Sequence, residues 1–194
     1  MRGQVADALA CVWRAFEHYD DELSRLRALN EVGIMFLSLG EPEAAHLALR
    51  EVVRRGRTPD TVTNALIELM HCASYRRDRV GFERWRSRCW ALHARMPPNM
   101  RADFYLKAGI GYARFGRFAT ARRLIADAEA VAQTHGLHEL EFRSERIGSG
   151  LQECERERSP LALQKSAKHP SLRDVRLSLD ELSRADAQVH TFGF

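Results

Sequence analysis

The chain has 194 residues, of which 45% are hydrophobic and 29% are charged, as in folded globular proteins with a buried core. Its 12 Gly and 6 Pro are too few for the many turns of a β-sandwich or barrel. No window of about 18 uninterrupted apolar residues marks a membrane span. The net charge is only +4 and just three of the 30 basic residues are lysine, which fits arginine-favouring codons as well as a nucleic-acid partner. The composition excludes β-rich and membrane-spanning proteins and favours helices.

Apolar residues recur at helical spacing along eight successive segments, which predicts eight amphipathic helices. The apolar stripes occupy residues 5–16, 23–39, 45–52, 62–70, 82–92, 104–112, 118–131 and 140–151. Pro42 suits a first helical turn, Thr58 or Asp60 is expected to cap the fourth helix, and Asp78 is expected to cap the fifth. Four helices are expected to stop at a glycine, namely Gly40, Gly56, Gly116 and Gly136. The very short turns predict antiparallel neighbours.

Two helix–turn–helix segments share a residue pattern at an offset of 76 residues, which is twice 38. Another helix–helix turn, at residues 78–82, lies halfway between them. Small residues at equivalent places would let paired helices approach closely, and an aromatic residue would fill the gap between helix pairs. The shared positions are Gly33, Phe36, Gly40 and Ala45 in one segment and Gly109, Tyr112, Gly116 and Ala121 in the other. The chain is therefore predicted to repeat about every 38 residues.

The pattern resembles the tetratricopeptide repeat (TPR), with Leu29, Val32 and Leu49 completing one copy and Tyr105 and Ala108 the other. The resemblance covers roughly residues 20–157, and its period is longer than the usual 34 of the family. The middle copy departs from the pattern, with His71 and Ser74 where glycine and an aromatic belong and Glu83 where alanine belongs. The resemblance implies a right-handed solenoid that binds peptides or protein segments on the face formed by the first helices.

We therefore predict an all-α, TPR-like helical-hairpin solenoid in residues 1–157, followed by a linker and docking tail in residues 158–194. One face of a tail helix capped by Ser171 would carry Leu172, Val175, Leu179 and Leu182. The alternation of residues 175, 177 and 179 fits an extended segment as well. The tail is either disordered, or docks on its own groove, on a second copy or on a partner.

The sequence offers two weak candidates for chemistry. His135 and His138 straddle a predicted helix break, so they define no metal geometry. Cys72 and Cys89 have histidines near them in sequence, but both lie inside predicted helices without an oxyanion hole. A small metal- or cysteine-dependent hydrolase is therefore the weakest hypothesis. We expect that the chain is not an enzyme and that it binds neither a metal ion nor a cofactor.

The absence of a CxxC pair predicts reduced thiols, and Asp7 interrupts any apolar leader, so a cytoplasmic location is expected. The leading hypothesis is a non-enzymatic interaction module, that is, an adaptor, scaffold, regulatory or assembly subunit. The tail would allow a homo-oligomer. The predicted partner-contacting residues are Asn30, Asn64, Glu68, His71, Lys107 and Arg114 on the repeats and Leu179, Leu182, Phe192 and Phe194 in the tail.

The alternative is a nucleic-acid-associated subunit. Trp85 and Trp90 interleave with six arginines, a pattern that would bind phosphates and stack bases if one helix face carried it. The same stretch fits a solvated face with the tryptophans turned inward. The arginines are Arg76, Arg77, Arg79, Arg84, Arg86 and Arg88.

Overall fold

The computed structural model describes residues 2–157, 161, 166–167 and 169–191, with side chains from residue 3 to residue 184 of those ranges. The described part of the chain is all-α, with nine α-helices and one 3₁₀ turn, His93–Arg95, and no strand. The helices are α1 (Arg2–His18), α2 (Glu22–Ser38), α3 (Pro42–Arg55), α4 (Pro59–Tyr75), α5 (Arg79–Leu92), α6 (Pro98–Arg114), α7 (Phe118–Thr134), α8 (His138–Arg156) and α9 (Pro170–Thr191). None of them is both long and apolar enough to cross a membrane.

Most helix boundaries lie where the sequence predicts them. The Asp78 carboxylate accepts a hydrogen bond from the Gly81 backbone N–H at 2.8 Å and so caps α5. α4 begins at Pro59, which leaves Thr58 rather than Asp60 at the position before the helix. α8 continues to Arg156, three residues past the point where the sequence becomes polar, because charged residues are also good helix formers.

The chain forms two compact units, Met1–Ala65 with Gln164–Phe194 and Leu66–Leu163. In the first unit α2 packs against α1 and α3, and α9 packs on α1 and α3. In the second unit α6 packs against α7, and α8 contacts both of them. In this division α9 belongs to the same unit as the N-terminal helices, and the domain boundary expected at residue 157 stays a prediction.

The two helical hairpins at the 76-residue offset share their packing. A Cβ on Gly33 would lie 2.6 Å from Leu49 Cγ, and a Cβ on Gly109 would lie 2.8 Å from Ile125 Cγ1. Each glycine thus lets an aliphatic residue of the second helix sit against the backbone of the first. Leu49 and Ile125 are themselves 76 residues apart, so a contact that the residue pattern did not predict extends the repeat.

The turns of these hairpins are also equivalent. Gly40 and Gly116 have φ of 80° and 72°, and the residue after each donates a 2.8 Å backbone hydrogen bond to the carbonyl of Phe36 or Tyr112. These are the bonds of a Schellman turn, which needs the left-handed conformation at this position. The predicted helix ends at Gly40 and Gly116 are therefore confirmed, and the left-handed backbone conformation explains why glycine occupies these positions.

The middle hairpin has the same turn in a different register. Arg77, with φ of 57°, takes the place of the glycine, and the Asp78 N–H donates to the Ala73 carbonyl at 3.0 Å. The structural equivalents of Gly33 and Phe36 are then Met70 and Ala73, one residue before the expected His71 and Ser74. The register differs because arginine stands at position 77, so no turn glycine marks the end of α4 in the sequence.

Candidate interaction surfaces

A buried ion cluster joins the C-terminal part of α4 to α6. The Lys107 Nζ donates hydrogen bonds to Glu68 on α4 and to Asp103 one turn earlier on α6. Burial would lower the pKa of Lys107, but the two carboxylates outweigh burial and raise it above its ordinary value. Burial, with Asp103 beside it, raises the pKa of the Glu68 carboxyl in spite of Lys107. Lys107 therefore stays protonated, and its positive charge offsets the charges of Glu68 and Asp103.

Arg114 lies at the end of α6 and is also turned inward. Its side chain is 4% exposed, its Nη1 donates a 2.7 Å hydrogen bond to Ser74 Oγ, and its guanidinium lies 3.6 Å from the centre of the Tyr75 ring. Arg77 in turn donates to the Arg114 backbone carbonyl. A guanidinium between a hydroxyl and an aromatic face ties α6 to the last turn of α4.

His71 is the half-buried member of this group. Its ring meets Tyr75 edge-on at a centroid distance of 5.1 Å. Burial first, and then the positive charges of Arg114, Lys107 and Arg143, hold the pKa of His71 well below its usual range. The imidazole is therefore neutral at pH 7, and its Nδ1 has no hydrogen-bond partner in the described part of the chain.

Four of the predicted partner-contacting residues, Glu68, His71, Lys107 and Arg114, therefore come together in one unit. Glu68, Lys107 and Arg114 are buried between helices, and their charged groups contact partners within the chain. This differs from the expectation that they line an open groove. Helical spacing identifies a position off the apolar stripe, but it does not distinguish solvent from a neighbouring helix. Asp103, Ser74 and Tyr75 were missed, although the four-residue spacing of Asp103 and Lys107 was a readable signal.

The other predicted contact residues lie apart from this cluster. In the first unit Asn30 is buried with its Oδ1 unbonded among the described residues, and Asn64 is half-buried. In the tail Leu179 is fully buried and Leu182 half-buried. Phe192 and Phe194 lie outside the described residues.

Only some of the arginines in the stretch 76–88 are exposed and free to contact a ligand. Arg86 donates a 2.8 Å hydrogen bond to Glu83, which also accepts one from Tyr112 Oη at 2.9 Å. The Arg88 guanidinium lies 5.1 Å from the centre of the Trp85 ring, and Arg76 is half-buried. Exposed positions are Arg77, Arg79, Arg84 and Arg88.

An exposed aromatic residue, Trp90, lies in the last turn of α5. Trp90 is 54% exposed and stacks on His93 at a centroid distance of 4.7 Å. Burial and the nearby Arg101 lower the pKa of His93, so its ring is neutral at pH 7. Trp85 is half-buried, as the inward interpretation predicts, whereas Trp90 is turned to solvent.

The cysteine and histidine candidates differ in exposure, since Cys72 and Cys89 are buried and His135 and His138 are exposed. Burial raises the pKa of Cys89 to about 12, so its thiol is not the thiolate that a nucleophile requires. His138 lies 3.5 Å from Glu141, and His135 is exposed. Within the described ranges no three His, Cys, Asp or Glu side chains converge as metal ligands would.

The chain matches no protein-family model, no curated protein and no solved structure. Its internal repeat and its side-chain geometry are therefore the basis for a functional conclusion.

Proposed function

We propose that the chain is a TPR-like protein-interaction module that binds a segment of another protein and carries out no chemistry of its own. It would serve as an adaptor, scaffold, regulatory subunit or assembly component. On this proposal the hairpins stack as a right-handed solenoid, and the first helices of the hairpins provide the binding face. The free cysteines, with Cys72 and Cys89 buried, fit a cytoplasmic location.

The observation that carries the proposal is the structural equivalence of the two hairpins. They share the Schellman turn at Gly40 and Gly116 and the glycine-to-aliphatic contact at Gly33 and Gly109, 76 residues apart. Stacked helical hairpins bury their apolar faces against each other, and their remaining surface is long and continuous. Such surfaces suit extended protein segments.

The partner-binding face on this proposal includes the half-buried edge of the α4–α6 cluster, at His71 and Tyr75. An aromatic pair beside the buried Arg114 guanidinium suits a partner segment that combines an apolar with a polar or acidic residue. The buried members would hold α4 and α6 in register instead of touching the partner.

The proposal is tested by co-purification with the full chain as bait, followed by direct titration of the purified partner. His71→Glu places a carboxylate where the charges of Arg114 and Lys107 can accommodate it. Gln133→Glu makes the same change in charge at an exposed site on α7. The first variant should lower affinity at least about tenfold and the second should leave it unchanged. Equal binding by both would refute this face, and the absence of any stoichiometric protein partner would refute the proposed function.

A nucleic-acid-associated role is the second candidate, favoured by the exposure of Trp90 and of Arg79, Arg84 and Arg88. Exposed arginines would neutralise phosphates, and an exposed tryptophan would stack on a base. Fluorescence anisotropy with single-stranded RNA and DNA tests this role. A loss of affinity that steepens with salt, and is reduced in Arg84→Glu, would support it; no measurable binding would remove it.

A further inference from the structure

Arg114 is a buried charge without an acidic partner in the described part of the chain. Its side chain is 4% exposed. Burial lowers the pKa of Arg114, Tyr75 opposes this shift, and the charge of Arg77 adds to it, whereas no described carboxylate contributes. Lys107, on the same helix, is paired with two carboxylates. Because an unpaired buried charge is costly, an anion from outside the chain would stabilise Arg114.

The hydrogen bonds of the Arg114 guanidinium are incomplete. Its Nη1 donates to Ser74 Oγ at 2.7 Å, and the half-buried Tyr75 ring lies over the guanidinium. Its Nε is buried and has no hydrogen-bond partner among the described residues. Nε lies on the edge of a guanidinium that commonly binds two oxygens of one phosphate or carboxylate. An oxyanion at this edge would satisfy a donor that the fold leaves unbonded.

His71, one turn before Tyr75 on α4, extends this electropositive surface. Its Nδ1 is also buried without a hydrogen-bond partner among the described residues. After burial, the groups that lower the pKa of His71 are all cations. They are Arg114, Lys107 and Arg143, and no described carboxylate opposes them. One tautomer of a neutral imidazole donates from Nδ1, so His71 offers an anion a second donor.

The unbalanced charge suits a phosphate better than a carboxylate. The charge of Lys107 is already offset by its two carboxylate partners. Arg77 and Arg114 remain, joined by the hydrogen bond from Arg77 to the Arg114 carbonyl. A phosphate monoester carries a charge of about −1.5 to −2 at pH 7 and three strong acceptor oxygens, whereas a carboxylate carries one charge and two oxygens. Two arginines and the His71 ring match the larger anion in both charge and donors.

We propose that one surface of the second unit binds a phosphate monoester through Arg77, Arg114, Arg143 and His71. Arg77 is exposed, Arg143 and Tyr75 are half-buried, and Tyr75 turns aside to admit the phosphate to the guanidinium. The inference rests on the proposed protein-interaction function for the source of this group, which is a phosphorylated side chain of the partner. A free nucleotide carries the same chemistry, and the two sources give different results in the test.

The site is tested on the full chain with O-phosphoserine, serine, AMP and acetate at constant ionic strength. The readouts are the thermal midpoint and the Nε–H resonance of Arg114 in nitrogen-edited NMR spectra, which Arg114→Lys identifies by removing it. Phosphoserine and AMP should raise the midpoint and shift this resonance, whereas serine and acetate should do neither. Arg114→Lys should lower the affinity for phosphoserine at least about tenfold, because lysine has no two-donor edge. Arg143→Met should lower it about threefold, and Arg146→Met, at an exposed arginine of the same helix, should leave it unchanged.

The partner obtained by co-purification distinguishes the two sources of the phosphate. Phosphatase treatment of the partner should weaken its binding to the unmodified chain at least about tenfold and change its binding to the Arg114→Lys chain little. A partner that is indifferent to phosphatase, together with tighter binding of AMP than of phosphoserine, would overturn the phosphoprotein source. If phosphoserine and AMP leave the Arg114 resonance unmoved while the partner still binds, the phosphate site is refuted and the proposed function stands. If both move it and no protein partner exists, the proposed function alone fails.

Discussion

Replacing Gly109 by alanine tests the contact that defines the repeat. The added Cβ would lie 2.8 Å from Ile125 Cγ1 and 3.1 Å from the Ala121 carbonyl oxygen, whereas non-bonded carbons prefer about 3.5–4.0 Å. Alanine gains about 1 kcal/mol over glycine in helix propensity. Overpacking of this kind costs about 1–3 kcal/mol, and the nearby backbone oxygen places this site in the upper part of that range. We therefore expect a net loss of about 1 kcal/mol or more in the free energy of unfolding.

The assay is urea unfolding of the full chain, followed by far-UV circular dichroism. Gly150→Ala in α8 is the matched control, because its Cβ would meet nothing within 4 Å and should stabilise by up to about 1 kcal/mol. Combining Gly109→Ala with Ile125→Ala should show a favourable coupling, since truncating Ile125 removes the clash. If Gly109→Ala stabilised the chain as much as Gly150→Ala, the close approach of α6 and α7 would be wrong.

Three further predictions concern single sites. Lys107→Met should destabilise the chain by about 3–5 kcal/mol in urea unfolding, because two buried carboxylates lose their counter-ion. Adding Glu68→Gln should restore part of the lost stability. A loss below about 1 kcal/mol would contradict the burial of this cluster. The lowered pKa of His71 means that its stabilising contribution is present above about pH 6.5 and is lost as the pH falls, because only the unfolded chain then takes up the proton. His71→Gln should therefore flatten the dependence of stability on pH below about 6.5 by at most about 1.4 kcal/mol per pH unit, and an unchanged slope would refute a neutral imidazole in the folded chain. Gly136→Ala should cost about 1–2 kcal/mol in thermal unfolding and Gly136→Asn less, because φ is +63° and nothing lies within 4 Å; equal costs would contradict the left-handed turn.

The helices and their turns were predictable because local chemistry determines them. An apolar stripe at helical spacing, an aspartate cap such as Asp78 and a left-handed glycine such as Gly116 each act over a few residues. The 76-residue repeat was also readable, because close packing requires glycine at equivalent places. Where Arg77 replaced the turn glycine, that anchor was lost and the register of the middle hairpin shifted by one residue.

The polar cluster and the position of the tail were harder to predict, because both depend on contacts between distant segments. Glu68 and Lys107 are 39 residues apart, and nothing near either of them in sequence indicates that they meet. Leu179 fits a helix or an extended segment by spacing alone, and the structure shows the helix, packed on α1 and α3. Its groove is formed by residues more than a hundred positions away, so only the folded chain distinguishes a docked tail from a free one.

The most direct test of the proposed function is the composition of the complex that the full chain forms in its native cells, measured by light scattering and mass spectrometry before and after nuclease treatment. The proposal predicts a complex with another protein at fixed stoichiometry that survives nuclease and high salt. A complex that contains nucleic acid and dissociates under either treatment would contradict it, because that behaviour belongs to phosphate contacts by arginine.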